Sequence, residues 1–167
     1  DKVEKFAPAH SLPSDQIFSL FKGSDGVMWV GTGSGIGRYE NGVFKNYVSA
    51  GGIPLNTVSG ISEDHQKKIW FQLEARGLAK FDGKEFVFMD IDRGLSSNLI
   101  TCLYFDDQHI AWIGTIGGGL NWIDAKGIKH IDIQNGLYDN VIYTILEDAG
   151  KLWMSCNNGI FYIEKEQ

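Results

Sequence analysis

Residues 112–121 read Trp-Ile-Gly-Thr-Ile-Gly-Gly-Gly-Leu-Asn, a short apolar run that begins with tryptophan and ends in a glycine-rich turn. Tryptophan recurs at the same point of three further segments. The four residues are Trp29, Trp70, Trp112 and Trp153, at successive spacings of 41, 42 and 41. A fixed period of this length is typical of proteins in which each repeat is one supersecondary unit. The sequence therefore predicts four structurally equivalent repeats.

Each repeat contains short strand-like runs separated by turn residues, and the second run of each begins near its tryptophan. The first runs are Ile17–Phe21, Val58–Ser62, Ile100–Tyr104 and Ile142–Leu146. The third runs are Ile36–Tyr39, Leu78–Phe81, Leu120–Ile123 and Ile160–Ile163. The fourth runs, in three repeats, are Val43–Val48, Glu85–Ile91 and Ile128–Ile133. Four strands per repeat indicate a β-propeller blade, whereas a helical solenoid would need long amphipathic runs without glycine.

We therefore predict an all-β fold, with a single β-propeller domain over residues 1–167. The predicted blades are residues 11–52, 53–94, 95–136 and 137–167. The last blade has no fourth run of its own, and the strand-like N-terminal residues 3–6 are expected to complete it. Three arrangements stay open: a closed four-bladed ring, a two-chain ring formed by a homodimer, or part of a larger propeller.

Composition excludes several functional classes. The chain has 15 Lys and Arg against 21 Asp and Glu, a net charge of −6 and a pI near 5.1, which argues against a nucleic-acid-binding surface. No apolar run approaches the roughly 20 residues of a membrane helix, so we predict no membrane segment in this chain. Cys102 and Cys156 occupy different positions of the repeat and are predicted to be free thiols.

Catalytic and metal-binding patterns are weak. The histidines stand at four different offsets from their tryptophans, which does not favour a symmetric metal site: His10, His65, His109 and His130. The acidic pairs after the first runs are Glu63-Asp64, Asp106-Asp107 and Glu147-Asp148, and we interpret them as turn residues in preference to a cation site. No nucleophile has a companion motif. We predict no catalytic residue, no metal and no cofactor.

The loops expected at one end of the blades supply candidate ligand-binding residues. The loops before the first runs carry Asp15, Asn56, Asn98 and Asn140. The turns after the tryptophan strands carry Glu74, Arg76, Asn157 and Asn158. In a propeller these two sets of loops lie at the same strand ends, where they form a rim that offers polar groups to a sugar hydroxyl or a carboxylate. The alternative is that Asp15 and the asparagines bond to backbone and hold their turns.

Trp122 is the fifth tryptophan and lies outside the period, at a position that is otherwise Arg38, Lys80 or Tyr162. It is a further candidate for ligand binding, by stacking on a sugar, with packing on a neighbouring strand as the alternative. The four periodic tryptophans, by contrast, are predicted to be core residues.

The repeats resemble a known family. Leu12-Pro13-Ser14-Asp15, Trp29-Val30-Gly31-Thr32, Glu63-Asp64 and residues 112–121 are similar to two-component regulator propeller repeats, whose pattern runs approximately L-P-S-N, E-D, G-x-L-W-x-G-T and G-G-L. The chain departs from this pattern at Phe71-Gln72-Leu73, at Ser155-Cys156 and at Trp122.

The resemblance implies a function. Such repeats form the extracytoplasmic sensor region of hybrid two-component histidine kinases, where they help to detect oligosaccharides and precede a membrane helix and a kinase. The expected role is therefore non-enzymatic and periplasmic: recognition of an oligosaccharide, with signalling through other domains of the parent regulator and its phosphorelay. The alternatives are a lyase similar to the streptogramin-inactivating propellers and a self-assembling protein-interaction scaffold.

Overall fold

The computed structural model describes Val3 and residues 11–165, and this part of the chain consists of β-strands, turns and two short 3₁₀ helices. The all-β prediction is confirmed. Contacts divide the chain into two compact units. One unit comprises the residues up to Glu74 together with Ala79–Val87, and the other comprises Ala75–Leu78 together with the residues from Phe88 onward.

The first blade is a four-stranded sheet in which consecutive strands are antiparallel neighbours. Its strands are β1 (Ile17–Lys22), β2 (Met28–Thr32), β3 (Gly35–Glu40) and β4 (Val43–Tyr47). A small hairpin follows, formed by β5 (Ser49–Ala50) and β6 (Ile53–Pro54). The second blade has the same strand order and consists of β7 (Val58–Glu63), β8 (Ile69–Leu73), β9 (Gly77–Phe81) and β10 (Phe86–Met89).

The third blade is again four-stranded, and the fourth has three strands among the described residues. The third consists of β11 (Ile100–Phe105), β12 (Ala111–Thr115), β13 (Leu120–Asp124) and β14 (Gly127–Ile131). The fourth consists of β15 (Thr144–Asp148), β16 (Lys151–Cys156) and β17 (Gly159–Glu164). The predicted N-terminal strand over residues 3–6 lies outside the described residues except for Val3, which is exposed and in no strand.

Several predicted strand ends were wrong, and local turn chemistry explains most of them. The fourth strands of blades two and three end at Met89 and Ile131, and 3₁₀ helices follow at Ile91–Arg93 and Ile133–Asn135. Each helix ends at a glycine with positive φ, and Asp132 accepts hydrogen bonds from the backbone of the second helix. The first strand of blade four begins at Thr144, two residues later than predicted.

A carboxylate organises the turn between the first two strands of blades two and three. Asp64 accepts bonds from the backbone N–H groups of Gln66 and Lys68, and its second oxygen lies 2.8 Å from the indole Nε1 of Trp70. In blade three, Asp106 repeats this pattern with its own turn and with Trp112, also at 2.8 Å. The turn interpretation of these acidic residues is therefore correct for Asp64 and Asp106.

Blade one lacks this carboxylate. Gly23 stands six residues before Trp29, where blades two and three have aspartate. Its backbone makes the same turn bond, from Gly23 N to the Val27 oxygen at 2.8 Å. The nearby Asp25 accepts a bond from the Val27 N–H, and the buried Trp29 Nε1 has no hydrogen-bond partner among the described residues.

Aromatic and aliphatic side chains fill the interior of each unit. In the first unit, Trp29 packs edge-on against Phe71 and Phe81, with ring centroids 5.4 and 5.6 Å apart. In the second, Trp112 packs with a cluster of aliphatic residues from blades three and four. Trp29, Trp70 and Trp112 are buried, as predicted. Trp153 is half-buried, so its assignment to the core was wrong; it packs against the exposed Tyr162.

The Gly-Thr step after the tryptophans serves packing and turn closure. A side chain at Gly31 would come within 2.5 Å of the Val58 carbonyl oxygen, on the first strand of the next blade. The buried Thr32 hydroxyl donates to the Gly35 carbonyl at 2.9 Å and closes the turn. In blade three, Gly114 and Thr115 repeat both roles. The step therefore allows adjacent blades to approach closely.

Replacing Gly31 by alanine should lower the free energy of unfolding by about 2 kcal/mol, because the new methyl group must displace backbone of the neighbouring blade. Gly33→Ala is the matched control: its methyl would meet the flexible end of Gln16 at 3.0 Å. We expect the control to change stability by less than about 0.5 kcal/mol. Urea denaturation measures both, and equal losses would contradict this account of the glycine.

Candidate functional site

The predicted rim residues fall in both units, and each unit is described separately. The first unit contains Asp15, Asn56 and Glu74, all exposed. Asn56 has a positive φ of 51°, which indicates a turn role for this residue. The Glu74 backbone N–H donates to the Thr57 carbonyl, so the turn after β8 contacts the loop before β7. The rim residues of the second unit are Arg76, Asn98, Trp122, Asn140, Asn157 and Asn158.

Asn98 and Asn140 bond to the backbone. The Asn98 Oδ1 accepts from the Ile91 N–H at 3.0 Å, and the Asn140 Oδ1 accepts from the Ile133 N–H at 2.9 Å. Each side chain thereby holds the start of the 3₁₀ helix that precedes its loop. The Asn98 carbonyl also receives the Gly77 N–H at 3.0 Å. These two asparagines have the structural contacts that the alternative interpretation proposed.

The fourth blade brings exposed polar and aromatic side chains together. Tyr143 donates its hydroxyl to the Asn157 Oδ1 at 2.6 Å, and the Asn158 Nδ2 donates to the Asp139 Oδ2 at 3.1 Å. Tyr138, on the same loop, is 61% exposed and packs against Phe161. We call Tyr138, Asp139, Tyr143, Asn157 and Asn158 the fourth-blade patch. It combines exposed aromatic rings with hydroxyl, amide and carboxylate groups.

Trp122 packs against a neighbouring strand. It is half-buried on β13 and lies opposite Trp112, with ring centroids 5.7 Å apart. The Lys129 ammonium lies 6.0 Å from the Trp122 ring centroid. This side chain therefore has a neighbour on each of the two flanking strands of the third blade. Arg76, by contrast, is exposed.

Three carboxylates converge where blades three and four meet within the second unit. Ligand oxygens of Asp106, Asp107 and Glu147 lie within 4.8 Å of one another. The Lys165 ammonium lies 2.9 Å from Asp106 and from Glu147 and 3.6 Å from Asp107. A protein ammonium thus already supplies the cationic partner of this acidic cluster. Tyr104 adds a hydrogen bond to Glu147 at 3.1 Å.

The cluster shifts the pKa of Asp106 and of Lys165 in opposite directions. Burial acts to raise the pKa of Asp106, but hydrogen bonds from Trp112, Lys165 and the backbone of Ile110 outweigh it, so the pKa lies below 3.8. Burial likewise acts to lower the pKa of Lys165, but Asp106 and Glu147 raise it well above 10.5. Both groups therefore stay charged across the physiological pH range.

Sequence reasoning missed some of the residues that support these loops. Asn121 is fully buried, its amide donates to Ser96 at 2.6 Å, and the Ser96 N–H donates back to it at 2.9 Å. The signal for Asn121 in the sequence was an amide side chain directly after an apolar residue of a predicted strand. Tyr138 and Tyr143 were also missed, although tyrosine beside Asn and Asp in a loop is typical of recognition surfaces. Cys102 and Cys156 are free thiols, as predicted.

The described residues contain no helix long and apolar enough to cross a membrane. No curated protein sequence matches the chain. A family model described as "Two component regulator propeller" matches residues 11–34 and 94–117. These segments cover the entry loop, the first two strands and the following turn of blades one and three. The blades are thus of the β-propeller type, and two of them carry two-component regulator propeller repeats, which confirms the resemblance.

Solved structures share the fold at low sequence identity. The extracellular domain of a B. thetaiotaomicron protein described as a hybrid two component system is 22% identical, with a TM-score of 0.71 over 89% of this chain and 23% of that one. Virginiamycin B lyase from Staphylococcus aureus is 17% identical, with a TM-score of 0.63 over 89% and 55%. The computationally designed Ika4 protein is 14% identical, with a TM-score of 0.63 over 96% and 100%. The chain spans about a quarter of the sensor domain's length.

Removing the Lys165 ammonium should destabilise the second unit. In Lys165→Met the buried Asp106 loses its cation, and we expect the free energy of unfolding at pH 7 to fall by about 3 kcal/mol. Lys151→Met, in the same blade but without an ion pair among the described residues, is the control. Denaturant titration from pH 3 to pH 9 provides the measurement.

The sign of the pH dependence follows from the shifts. The pKa of Asp106 is lowered in the native state, so its contribution is present above about 3.8 and is lost as pH falls through the native value. The Lys165 contribution is full below about 10.5 and is lost only at higher pH. The difference in the free energy of unfolding between the parent chain and Lys165→Met should therefore be constant from pH 5 to pH 9 and shrink below pH 4. A variant as stable as the control would contradict the role of the ammonium.

Proposed function

We propose that this chain is a sensor propeller of a hybrid two-component regulator and that it recognises an oligosaccharide. The family match to two blades and the similar fold of a two-component extracellular domain support the sensor role. The fourth-blade patch is the observation that supports an oligosaccharide as the ligand.

The patch has the chemistry that sugars require. A sugar ring has apolar faces that pack on aromatic rings, and its hydroxyls both donate and accept hydrogen bonds. Tyr138 and Tyr143 are 61% and 46% exposed and offer such rings, while Asp139 and Asn157 offer acceptors. The hydrogen bonds within the patch order these side chains before a ligand arrives, which reduces the entropy cost of binding.

Other rim residues extend the proposed contact surface. Arg76 and Asn158 differ from their counterparts in the other blades and supply a cation and an amide. We propose that they distinguish between oligosaccharides, while Asn98 and Asn140 maintain the loops. Trp122 acts in this proposal through its packing on Trp112 and makes no contact with the sugar.

The setting of the chain is part of the proposal. We place it in the periplasm, as the sensory part of an inner-membrane regulator, with the signal passing through other domains to a phosphorelay. Ligand binding, and not catalysis, is the role we assign to it. Two solved lyases of similar fold share 17% and 15% identity with the chain, which supports the fold and not a shared activity.

Calorimetry with a panel of neutral oligosaccharides tests the ligand class. Maltotetraose, xylotetraose, mannotetraose and arabinotetraose are suitable probes, and we expect saturable binding of at least one. Tyr143→Phe should weaken that binding about tenfold, because it removes the hydroxyl that orders Asn157. Tyr162→Phe is the matched control, since this tyrosine is 45% exposed on the same blade but outside the patch.

Two results would contradict the proposal. Equal effects of Tyr143→Phe and Tyr162→Phe on oligosaccharide affinity would show that the fourth-blade patch is not the binding site. An absence of binding across the panel, together with unchanged signalling by the full regulator carrying Arg76→Ala and Asn158→Ala, would reject oligosaccharide recognition by these loops.

A further inference from the structure

Blade four has an apolar sheet face that is exposed to solvent. Leu146, Trp153 and Tyr162 lie opposite one another on its three strands and form one row. Leu146 and Tyr162 are 61% and 45% exposed, and Ile160, on the same face, is 74% exposed. Trp153 is half-buried and packs on Tyr162, with ring centroids 4.8 Å apart. We call these four residues the tryptophan face of blade four.

The equivalent face is covered in blade three. Tyr104, Trp112 and Trp122 are paired across the first three strands of that blade, as their counterparts are in blade four. Trp112 is only 8% exposed, because it packs in a cluster with buried residues of the next blade, which include Ile142, Ile145, Leu152 and Met154. The tryptophan side of a blade is thus a surface that receives the following blade.

Blade one carries a residue that suits this role, and it is exposed. Leu20 lies opposite Val30 in the strand register, as Ile145 lies opposite Met154, so Leu20 and Ile145 are equivalent. Ile145 is 8% exposed where it covers blade three, whereas Leu20 is 68% exposed.

Ile17 shows the same contrast at the start of the first strand. It is 43% exposed, whereas Val58 and Ile142, which begin the equivalent runs of blades two and four, are fully buried. Val58 and Ile142 lie against Gly31 and Gly114 of the blades before them. Blade one therefore presents an apolar surface of the kind that covers a tryptophan face.

The charges at the turn ends of the two surfaces are complementary. Between blades three and four, Asp106 and Glu147 lie within 4.8 Å of each other, and the Lys165 ammonium bridges them. The strand registers place Asp148 at the position of Asp106, and Lys22 at the position of Glu147. Asp148 and Lys22 are both exposed. A fourth blade that packs on a first blade therefore brings an acid against a base.

We propose that the tryptophan face of blade four packs on blade one of a second copy of this chain. Leu20 and Ile17 of that copy cover Trp153, and its Lys22 pairs with Asp148. A second copy is the occupant because the surface that fits the face in position and in charge belongs to this chain and is exposed on it. Each copy has both surfaces, so two copies make the contact twice, as a symmetric pair requires. The contact is independent of oligosaccharide binding by the fourth-blade patch.

The association should be reversible. Three strands of about five residues cover roughly 250 Å² at the usual strand spacing and rise. Two such contacts bury about 1,000 Å² counted over both copies, which is at the low end for specific association. Ser155 takes the place of Gly31 and Gly114 in the register, so its side chain holds the second copy farther away than glycine would. We expect a dissociation constant of roughly 10 µM.

Sedimentation equilibrium of the whole chain tests the proposal, at loading concentrations from about 1 to about 200 µM. We expect the average mass to rise with concentration from that of one chain, 18.6 kDa, towards twice that value. The mass of one chain at every concentration would overturn the proposal and leave the tryptophan face to a different partner.

Leu20→Arg tests the surface of blade one, and Val43→Arg is its matched control. The two side chains are 68% and 67% exposed, and the strand registers place them on opposite faces of the same sheet. We expect Leu20→Arg to weaken the association at least tenfold, because it puts a charge against an apolar face, and Val43→Arg to change it less than twofold. Equal effects would overturn the proposal.

A charge exchange tests the pairing of blade four with blade one. Lys22→Glu and Asp148→Lys each place like charges together at both contacts, so each should weaken the association about tenfold. The double variant restores opposite charges, and we expect its dissociation constant to lie within about twofold of that of the parent chain. Additive losses in the double variant would contradict the pairing and overturn the proposal.

Discussion

The hydrogen bond from a buried tryptophan indole to the carboxylate of the preceding turn is the interaction on which the middle blades depend. In blades two and three, one aspartate accepts two backbone N–H groups and the indole N–H at once. The same side chain therefore closes the hairpin, orients the largest core residue and satisfies its polar atom. Because a charged acceptor forms the stronger class of hydrogen bond, this contact is costly to lose.

The first and fourth blades differ from the middle two in the residue that would accept the indole hydrogen bond. Blade one keeps the turn and the buried tryptophan but has Gly23 in place of the aspartate, which leaves the Trp29 Nε1–H without a hydrogen-bond partner among the described residues. Blade four has Glu147 six residues before its tryptophan, and this glutamate bonds to Tyr104 and Lys165. Trp153 is half-buried there. One repeat pattern thus yields a closed turn, an unsatisfied donor or an ion cluster, depending on a single position.

The contact between the first two strands shows a second constraint, which is side-chain volume. Ser19 faces Gly31 and Cys102 faces Gly114, so a small residue meets glycine in blades one and three. Blade two reverses the order, with Gly60 opposite Gln72. The departure from Gly-Thr in the sequence of blade two is therefore compensated on the neighbouring strand. In all three blades one member of the pair is glycine, which leaves room for the side chain opposite it in a close-packed sheet.

The blade architecture could be predicted from the sequence because tryptophan, glycine and the turn acids recur at one period. The first three strands of each repeat follow that pattern closely, apart from the start of β15. Strand ends at Met89 and Ile131 could not be predicted in this way, because the 3₁₀ turns that follow them, each ending at a glycine with positive φ, interrupt the apolar periodicity.

The candidate site was harder to predict than the fold. The spacing of Asn98 and Asn140 predicts that they lie in the rim loops. Their hydrogen bonds to the backbone of Ile91 and Ile133, however, depend on the path of the preceding loops. The partners of Lys165, Asp106 and Glu147, belong to the repeated acidic pairs of two different blades, but no sequence pattern connects these pairs to Lys165. The unsatisfied Trp29 donor is visible in the sequence only after the role of Asp64 is known.

A double-mutant cycle between the turn carboxylate and the indole tests this account most directly. The free energy of unfolding is measured for the parent chain, Asp64→Ala, Trp70→Phe and the double variant, and the same is done in blade one with Asp25→Ala and Trp29→Phe. We predict a coupling energy of about 1.5 kcal/mol in blade two and less than about 0.5 kcal/mol in blade one. Equal coupling in the two blades, or none in blade two, would contradict the central role of the indole–carboxylate bond.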